Sequence, residues 1–334
     1  MTVPILEMPR VAHNLRNLIP QSNTAIVAVL LAVVLVVMSI LTNGLLVSGK
    51  SLLVVTTFAP EILLITIAMG LVLLIKEIDL SVGSIYVVSG VVFASTFQHT
   101  GWPVAWCALA AIISGSLMGL VNGLLLVGTR VTAFIVTLGT MWAYRGMMLI
   151  AVGGASISVY PPKGDTFLDV LAGTPFVIPN QVFWLLGIVG ILIVIRNKTQ
   201  LGAWMQATGS NERAARMMGV PVKLVRITVF TLSGTLCGIA GVIQVAHSNQ
   251  AVPQSGDIVM LTALAGAIIG GVSLNGGRGG IVGPMLGGLT LRVIAMGLVM
   301  MGVIEYWTNL FTAGAVILTA WAFMSFDKLR VGKS

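Results

Sequence analysis

The feature that most constrains this chain is a series of long apolar segments separated by short polar ones. The first of them, Thr24–Leu41, contains no charged residue, and several later segments are as long. A helix needs about 20 mostly apolar residues to cross the hydrocarbon core of a bilayer. Only 8% of the residues are charged and 57% are hydrophobic, whereas a soluble domain has about 25% charged residues. We therefore predict an all-α polytopic membrane protein.

The apolar segments predict about ten transmembrane helices. Two of them, 80–97 and 258–274, are short, so we expect interrupted helices there. We expect Leu45–Thr57 to lie on the membrane surface or to re-enter the membrane. The first segment follows two arginines and lacks a cleavage site, which favours a span over a signal peptide. The predicted spans are 24–42, 58–76, 80–97, 104–128, 131–152, 180–196, 224–247, 258–274, 281–301 and 303–325.

The basic residues predict the orientation. With the N-terminus in the cytoplasm, 14 of the 18 Lys and Arg residues are cytoplasmic and only Lys50 and Lys163 lie outside. That split agrees with the positive-inside rule. It also explains the net charge of +8 without a nucleic-acid partner, because the bases are too dispersed to form a binding face. The cytoplasmic bases are Arg10, Arg16, Lys76, Arg130, Arg196, Lys198, Arg213, Arg216, Lys223, Arg226, Arg278, Lys328, Arg330 and Lys333.

The same orientation predicts the boundaries of the chain's regions. Residues 1–23 form a cytoplasmic segment and residues 327–334 a cytoplasmic tail, so both ends are cytoplasmic. Between them, residues 24–326 form the transmembrane domain, with a cytoplasmic loop at about 197–223. The two outside loops that matter below are Gly153–Thr174 and Ser248–Asp257.

The longest polar segment between apolar ones is Thr199–Arg226, in the cytoplasmic loop. Ser210 or Asn211 can cap a short helix there, and Glu212 suits the positive end of its dipole. Gly219 supplies a stop, and a proline two residues later prevents resumption of the helix. A helix of about two turns is not stable alone, so we expect it to dock on another surface. The alternative is a plain connector, which would need only a few residues.

This loop also carries a family resemblance. Its sequence ATGSNERAARMMGV resembles the coupling segment in the permeases of ribose-type ABC importers, which transport simple sugars. Three further stretches resemble the same family: IDLSVGS at 78–84, FIVTLGTMWAYRG at 134–146 and AIIGGVSLNGGRG at 267–279. Each motif alone is weak, but four in matching order are specific. The resemblance covers the chain from about Ala59 to Gly288.

The resemblance implies an ABC-importer permease fold of about ten helices with a cytoplasmic coupling helix. It implies three kinds of protein partner: cytoplasmic ATPase subunits, a second permease copy or a homologous permease, and a periplasmic or extracellular solute-binding protein. The chain would lie among the lipids of a bacterial inner membrane and import a small neutral solute, a monosaccharide. The residues implied in coupling to the ATPase are Gly209, Asn211, Glu212, Arg213, Ala214, Ala215 and Gly219.

The sequence predicts no catalytic or metal site. GLLVSGKS at Gly44–Ser51 matches a phosphate-binding loop, but it follows a membrane span and lacks the soluble nucleotide-binding fold that such a loop requires. The three histidines are far apart in sequence, and both cysteines fall within apolar segments. We therefore expect a non-catalytic transport subunit without a cofactor, whose partner hydrolyses ATP.

Polar residues within or beside the spans are candidates for the solute pathway. Asp79 with Ser81 either caps the next helix or acts through the family motif that contains it. Asn122 lies deep in a glycine-rich span, where its amide must face another helix or a polar cavity. Arg145 either extends outward to the membrane surface or lines the route. Together with Thr137, which shares its span with Arg145, the pathway candidates are Asp79, Asn122, Thr137 and Arg145.

Two other features concern the inside of the bundle. Arg292 lies near the middle of its span, so we expect it to pair inside the bundle or to face water, with Glu61 or Glu305 as its partner. Glycines at four-residue spacing, such as Gly115 and Gly119, predict close approach of helix backbones.

Two other functions stay open at this point. A branched-chain amino-acid permease belongs to the same superfamily, although IDLSVGS resembles the sugar group more. An ion-coupled secondary transporter places ionisable residues at mid-membrane, and this chain has few of them. A measurement of ATP-dependent uptake, with and without an ion gradient, would separate these classes.

Overall fold

The computed structural model describes residues 23–160, 166–174 and 178–304, together with positions 307, 310, 313, 314 and 317. Within these residues the chain forms twelve α-helices and one pair of two-residue strands. The helices are α1 (Asn23–Leu41), α2 (Gly49–Leu74), α3 (Val82–Thr100), α4 (Val104–Thr129), α5 (Ala133–Val152), α6 (Thr166–Ala172), α7 (Asn180–Lys198), α8 (Gln200–Ser210), α9 (Glu212–Met217), α10 (Val222–Ser248), α11 (Gly256–Ile269) and α12 (Val282–Met300).

Seven of the described helices are long and apolar enough to cross a membrane: α1, α2, α4, α5, α7, α10 and α12. Each corresponds to a predicted span. The predicted span 80–97 corresponds to the more polar α3, and 258–274 to α11, which has only 14 residues. The predicted span 303–325 lies largely outside the described residues. The chain is therefore an all-α polytopic membrane protein.

Most of Leu45–Thr57, expected on the membrane surface or in a re-entrant segment, belongs to a long helix. After a short 3₁₀ turn at Leu45–Val47, the long helix α2 already begins at Gly49 and continues to Leu74. The hydroxyl of Ser48 caps this helix by accepting a hydrogen bond from the Ser51 N–H at 3.4 Å, which fixes the early start.

Helix α10 is the most buried of the candidate spans, and it packs closely against α4. A Cβ atom added at Gly115 would lie 2.6 Å from the carbonyl oxygen of Gly234, and one at Gly123 would lie 2.8 Å from the Cα of Ile227. A Cβ at Gly119 would overlap the Phe230 carbonyl oxygen. Only glycine permits this backbone approach, so the close packing predicted from the glycine spacing is confirmed.

The two ends of the bundle carry different connections. At one end, strands β1 (Ile157–Ser158) and β2 (Gln250–Ala251) pair antiparallel, so the loops that follow α5 and α10 meet there. These are the two loops that the charge rule places outside. At the other end of α10, the short helices α8 and α9 join α7 to α10.

Candidate transport and coupling sites

The chain between α2 and α3 leaves the helical conformation and makes a buried polar turn. Lys76 adopts a left-handed backbone with φ of 65°, and the fully buried Asp79 follows it. One carboxylate oxygen of Asp79, Oδ1, accepts hydrogen bonds from the N–H of Ser81 at 2.9 Å and from its Oγ at 2.5 Å. Ser81 sits at the N-cap position of α3 but makes no side-chain cap bond, so the expected helix cap is wrong and a local turn replaces it.

Asn122 of α4 extends this turn into the bundle. Its Nδ2 donates to the Ser81 Oγ at 2.7 Å, and its Oδ1 accepts from the Tyr144 hydroxyl at 3.0 Å. The Tyr144 oxygen is also 3.0 Å from the carbonyl oxygen of Met118. The Asn122 side chain is fully buried and therefore faces hydrogen-bonding partners on other elements, as expected for an amide inside a membrane.

Thr137 of α5 reaches the same turn from a third side. Its Oγ1 accepts from the N–H of Leu80 at 3.1 Å and donates to the carbonyl oxygen of Ile78 at 3.3 Å. Three of the four pathway candidates thus meet in one buried network. We name it the hinge cluster, and its members are Asp79, Ser81, Asn122, Thr137 and Tyr144.

Tyr144 was not among the residues predicted from the sequence, although a signal for it existed. Tyr144 lies seven residues after Thr137, and residues two helical turns apart share one face of a helix. A search of the face that carries Thr137 would have found it.

Arg145, the fourth pathway candidate, does not join the hinge cluster. Its guanidinium pairs with the carboxylate of Asp257 at the start of α11 and lies 5.9 Å from the centre of the Trp142 ring. The Arg145 side chain is 23% exposed, whereas Asn122 is fully buried. The structure therefore places Arg145 at an ion pair near the loops that the charge rule assigns to the outside.

Arg292 lies inside the bundle as expected, and Glu61 is close enough to interact with it electrostatically, but the two do not form a direct ion pair. Glu61 pairs with His247, with 3.1 Å between the Glu61 Oε2 and the His247 Nε2, and makes no ion pair with Arg292. The Arg292 guanidinium instead lies 5.7 Å from the centre of the Phe58 ring. The other expected partner, Glu305, lies outside the described residues.

The polar loop forms the short helix α9 as expected, with Asn211 as its cap. The Asn211 Oδ1 accepts from the Ala214 N–H at 3.1 Å, and Gly219 ends the helix with φ of 81°. We name Asn211–Gly219 the α9 segment. Its Met217 and Met218 are 88% and 84% exposed.

Two of the predicted coupling residues are buried within the chain itself. Ala215 is only 4% exposed. A Cβ at Gly209 would overlap the carbonyl oxygen of Leu74 and would lie 2.5 Å from the backbone nitrogen of Gly277. These two positions therefore seat the loop against the bundle, whereas Arg213 and Ala214 are exposed beside the two methionines.

Arg226 of α10 connects the α9 segment to the polar turn. Its Nη2 lies 3.0 Å from the Glu212 Oε2 and 2.8 Å from the Glu77 Oε1, and Glu77 precedes Asp79 by two residues. Glu212 also pairs with Arg216. The sequence analysis counted Arg226 only as a cytoplasmic base, because its two partners are distant in sequence.

The two carboxylates respond differently to this shared arginine. Burial raises the pKa of Glu77, and the charge and hydrogen bond of Arg226 offset only part of the increase. Burial also acts to raise the pKa of Glu212, but hydrogen bonds and charges from Arg216 and Arg226 outweigh it and hold that pKa below its usual value. Glu212 is therefore firmly ionised at neutral pH.

Apolar helices that enclose a buried polar network, with a short polar helix exposed at one end, are those of a polytopic membrane protein. A family model described as branched-chain amino acid transport system / permease component matches residues 51–320. The chain belongs to this family.

Its curated relatives are import permeases. The chain is 36% identical to the ribose import permease protein RbsC of Escherichia coli strain K12 over 259 residues, which is 76% of this chain and 79% of the relative. It is 32% identical to the autoinducer 2 import system permease protein LsrC of E. coli strain K12 / DH10B over 304 residues, 91% of this chain and 87% of the relative. It is 30% identical to the fructose import permease protein FrcC of Rhizobium meliloti over 295 residues, 85% of this chain and 82% of the relative. The resemblance to sugar-type ABC import permeases is confirmed.

Proposed function

We propose that this chain is the transmembrane subunit through which an ABC importer moves a monosaccharide into the cell. The observation that carries the proposal is the hinge cluster, a buried network of amide and hydroxyl groups in a chain whose relatives are named for ribose and fructose import. Such groups can exchange hydrogen bonds with the hydroxyls of a neutral solute as it passes.

The charges of the hinge cluster favour a neutral cargo. A branched-chain amino acid, the cargo in the family's description, carries an ammonium and a carboxylate that each need a partner in a dry site. The hinge cluster offers one carboxylate, Asp79, whose Oδ1 binds Ser81 and whose Oδ2 has no hydrogen-bond partner among the described residues. It contains no basic side chain that could pair with the carboxylate of an amino acid. It therefore suits hydroxyl groups better than a zwitterion.

For the ATPase contact we propose the exposed face of the α9 segment. Met217 and Met218 provide an adaptable apolar surface on a loop assigned to the cytoplasm, with Arg213 and Ala214 beside them. Glu212 is held by Arg226, which also holds Glu77, so a movement of α9 would reach the turn that carries the hinge cluster. The ATPase itself would hydrolyse ATP.

The remaining parts of the proposal follow the family pattern. The transmembrane domain at 24–326 would contain about ten spans, between a cytoplasmic segment at 1–23 and a cytoplasmic tail at 327–334. Two permease copies, or this chain with a homologous permease, would form the route in a bacterial inner membrane, and an external solute-binding protein would deliver the sugar.

The proposal is tested by uptake into liposomes that contain the purified chain with its ATPase and binding protein. We expect uptake of D-ribose or D-fructose that requires ATP on the ATPase side and no ion gradient. Uptake driven by a proton or sodium gradient without the ATPase would identify a secondary transporter instead. Uptake of L-leucine but of neither sugar would identify the chain as an amino-acid permease and contradict the proposal.

A further inference from the structure

A second polar cluster lies between three helices and has no part in the function proposed so far. It consists of Phe58 and Glu61 on α2, His247 on α10 and Arg292 on α12, and we name it the charged cluster. Its His247 is at the opposite end of α10 from Arg226. The charged cluster and the hinge cluster are therefore separate groups of polar residues at different levels of the helix bundle.

The members of the charged cluster are packed together around one aromatic ring. The ring centres of Phe58 and His247 are 4.6 Å apart in an edge-to-face arrangement, and the guanidinium carbon of Arg292 is 5.7 Å from the Phe58 ring centre. Glu61 binds the far nitrogen of the His247 ring at 3.1 Å. Tyr86 of α3 is close enough to interact electrostatically with Glu61 and Arg292.

Part of the hydrogen-bonding capacity of this cluster is unused. The Arg292 Nε and the His247 Nδ1 are buried, and neither has a hydrogen-bond partner among the described residues. The His247 side chain is only 3% exposed, whereas the Glu61 side chain is 17% exposed and is the more accessible of the two. Ionisable residues inside a membrane bundle are costly to keep, and they commonly mark the path of a substrate or ion.

The chemistry of the cluster suits a small polyhydroxylated ring. A guanidinium and a carboxylate can each bind two neighbouring hydroxyls, and an aromatic ring can cover the apolar face of a sugar. The formal charges of Glu61 and Arg292 cancel, so a neutral solute leaves no net charge uncompensated. A cation would lack a second carboxylate here, and an anion would meet Glu61.

We propose that the charged cluster is a second monosaccharide-contacting site, in which Arg292, Glu61 and His247 exchange hydrogen bonds with sugar hydroxyls. Phe58 supplies the ring face of this site. The inference rests on the proposed function, since it assigns a further step of the route to the same cargo. It adds a place where the permease itself distinguishes one sugar from another.

The test removes both charges together, so that neither partner is left as an unpaired buried ion. The complete importer is reconstituted with the double variant Glu61→Gln/Arg292→Gln, and separately with His247→Gln. The matched control is His99→Gln, an exposed histidine at the end of α3. Uptake of D-ribose and D-fructose is measured together with ATP hydrolysis in the same liposomes.

We expect the double variant to hydrolyse ATP as the wild type does, while sugar uptake per ATP falls about tenfold, the loss expected for charged hydrogen bonds. The ratio of D-ribose to D-fructose uptake should also change, which a purely structural role would not cause. An unchanged ratio with normal uptake overturns the inference. If the double variant does not assemble, Arg292→Lys keeps the charge but not the planar fork, and an unchanged sugar ratio in that variant is equally decisive against it.

The result also separates this inference from the proposed function. If the wild type imports neither sugar, the proposed function fails. If the wild type imports a sugar and the variants keep its rate and selectivity, only the charged cluster loses its role. Competition by L-leucine that depends on Arg292 would assign the site to a zwitterion and overturn the inference as well.

Discussion

The hinge cluster and the α9 segment are connected, because Arg226 pairs with Glu212 of the α9 segment and with Glu77, two residues before Asp79. Different kinds of interaction nevertheless hold the two regions in place. Hydrogen bonds between buried groups, of which only the Asp79 carboxylate is ionisable near neutral pH, hold the hinge cluster, and Asn122 joins a turn to two helices. The α9 segment is held by ion pairs at a partly exposed surface, and its methionines are almost fully exposed.

This difference separates folding from function. A buried polar group that loses its partner costs free energy of folding directly, because no water replaces the lost bond. An exposed ion pair contributes little to stability, since water and salt screen it. Substitutions in the hinge cluster should therefore change stability and transport together, whereas substitutions of the partly or fully exposed side chains of the α9 segment should change transport with little loss of stability.

The largest effect is expected for Asn122→Leu. The substitution removes the hydrogen bonds of Asn122 to the Ser81 and Tyr144 hydroxyls, although Ser81 keeps Asp79 and Tyr144 keeps the Met118 carbonyl oxygen. Two buried hydrogen bonds are lost, so the free energy of unfolding should fall by about 2 kcal/mol. Unfolding of the purified protein in mixed micelles measures this loss. A variant as stable as the wild type would mean that the hinge cluster does not hold α3, α4 and α5 together.

A smaller effect is expected for Tyr144→Phe, which removes one hydroxyl and keeps the ring. The Asn122 Oδ1 loses its donor, and the free energy of unfolding should fall by about 1 kcal/mol. The matched control is Tyr160→Phe, because the Tyr160 side chain is 82% exposed and should have no effect. Equal losses in the two variants would show that burial of the hydroxyl does not decide the outcome.

The hinge cluster and the α9 segment also show what the sequence could predict and what it could not. The apolar segments predicted the helices because a membrane span is a local property of about 20 residues. Asn122 and Thr137 could be selected because a polar group inside an apolar span is visible locally. The link from Glu212 through Arg226 to Glu77 could not be predicted, because it depends on how distant segments pack.

In the α9 segment, Glu212→Arg should reduce transport far more than stability. The substitution replaces two ion pairs by repulsion from Arg216 and Arg226, but the site is partly exposed, so the free energy of unfolding should fall by less than about 1 kcal/mol. Uptake per ATP hydrolysed should fall much more, because α9 is no longer tied to the turn before Asp79. A stability loss as large as that of Asn122→Leu would remove the distinction between the two regions.

The smallest effect is expected for Lys50→Ala. Lys50 lies exposed in the first turn of α2, and the phosphate-loop pattern around it follows helix α1 rather than a strand and contains a 3₁₀ turn. Stability should change by less than about 0.5 kcal/mol, and ATP-dependent uptake should stay as in the wild type. Nucleotide binding by the isolated chain that Lys50→Ala abolishes would contradict this interpretation.

The most direct test of the account is whether the ATPase binds the exposed face of the α9 segment. Met217→Asp places a charge on a side chain that is 88% exposed, and the matched control is Tyr160→Asp, at a side chain that is 82% exposed in a loop assigned to the outside. We predict that Met217→Asp inserts and unfolds like the wild type but retains less ATPase on co-purification and imports less sugar, while Tyr160→Asp behaves as the wild type. Full retention of the ATPase with normal uptake in Met217→Asp would contradict the account.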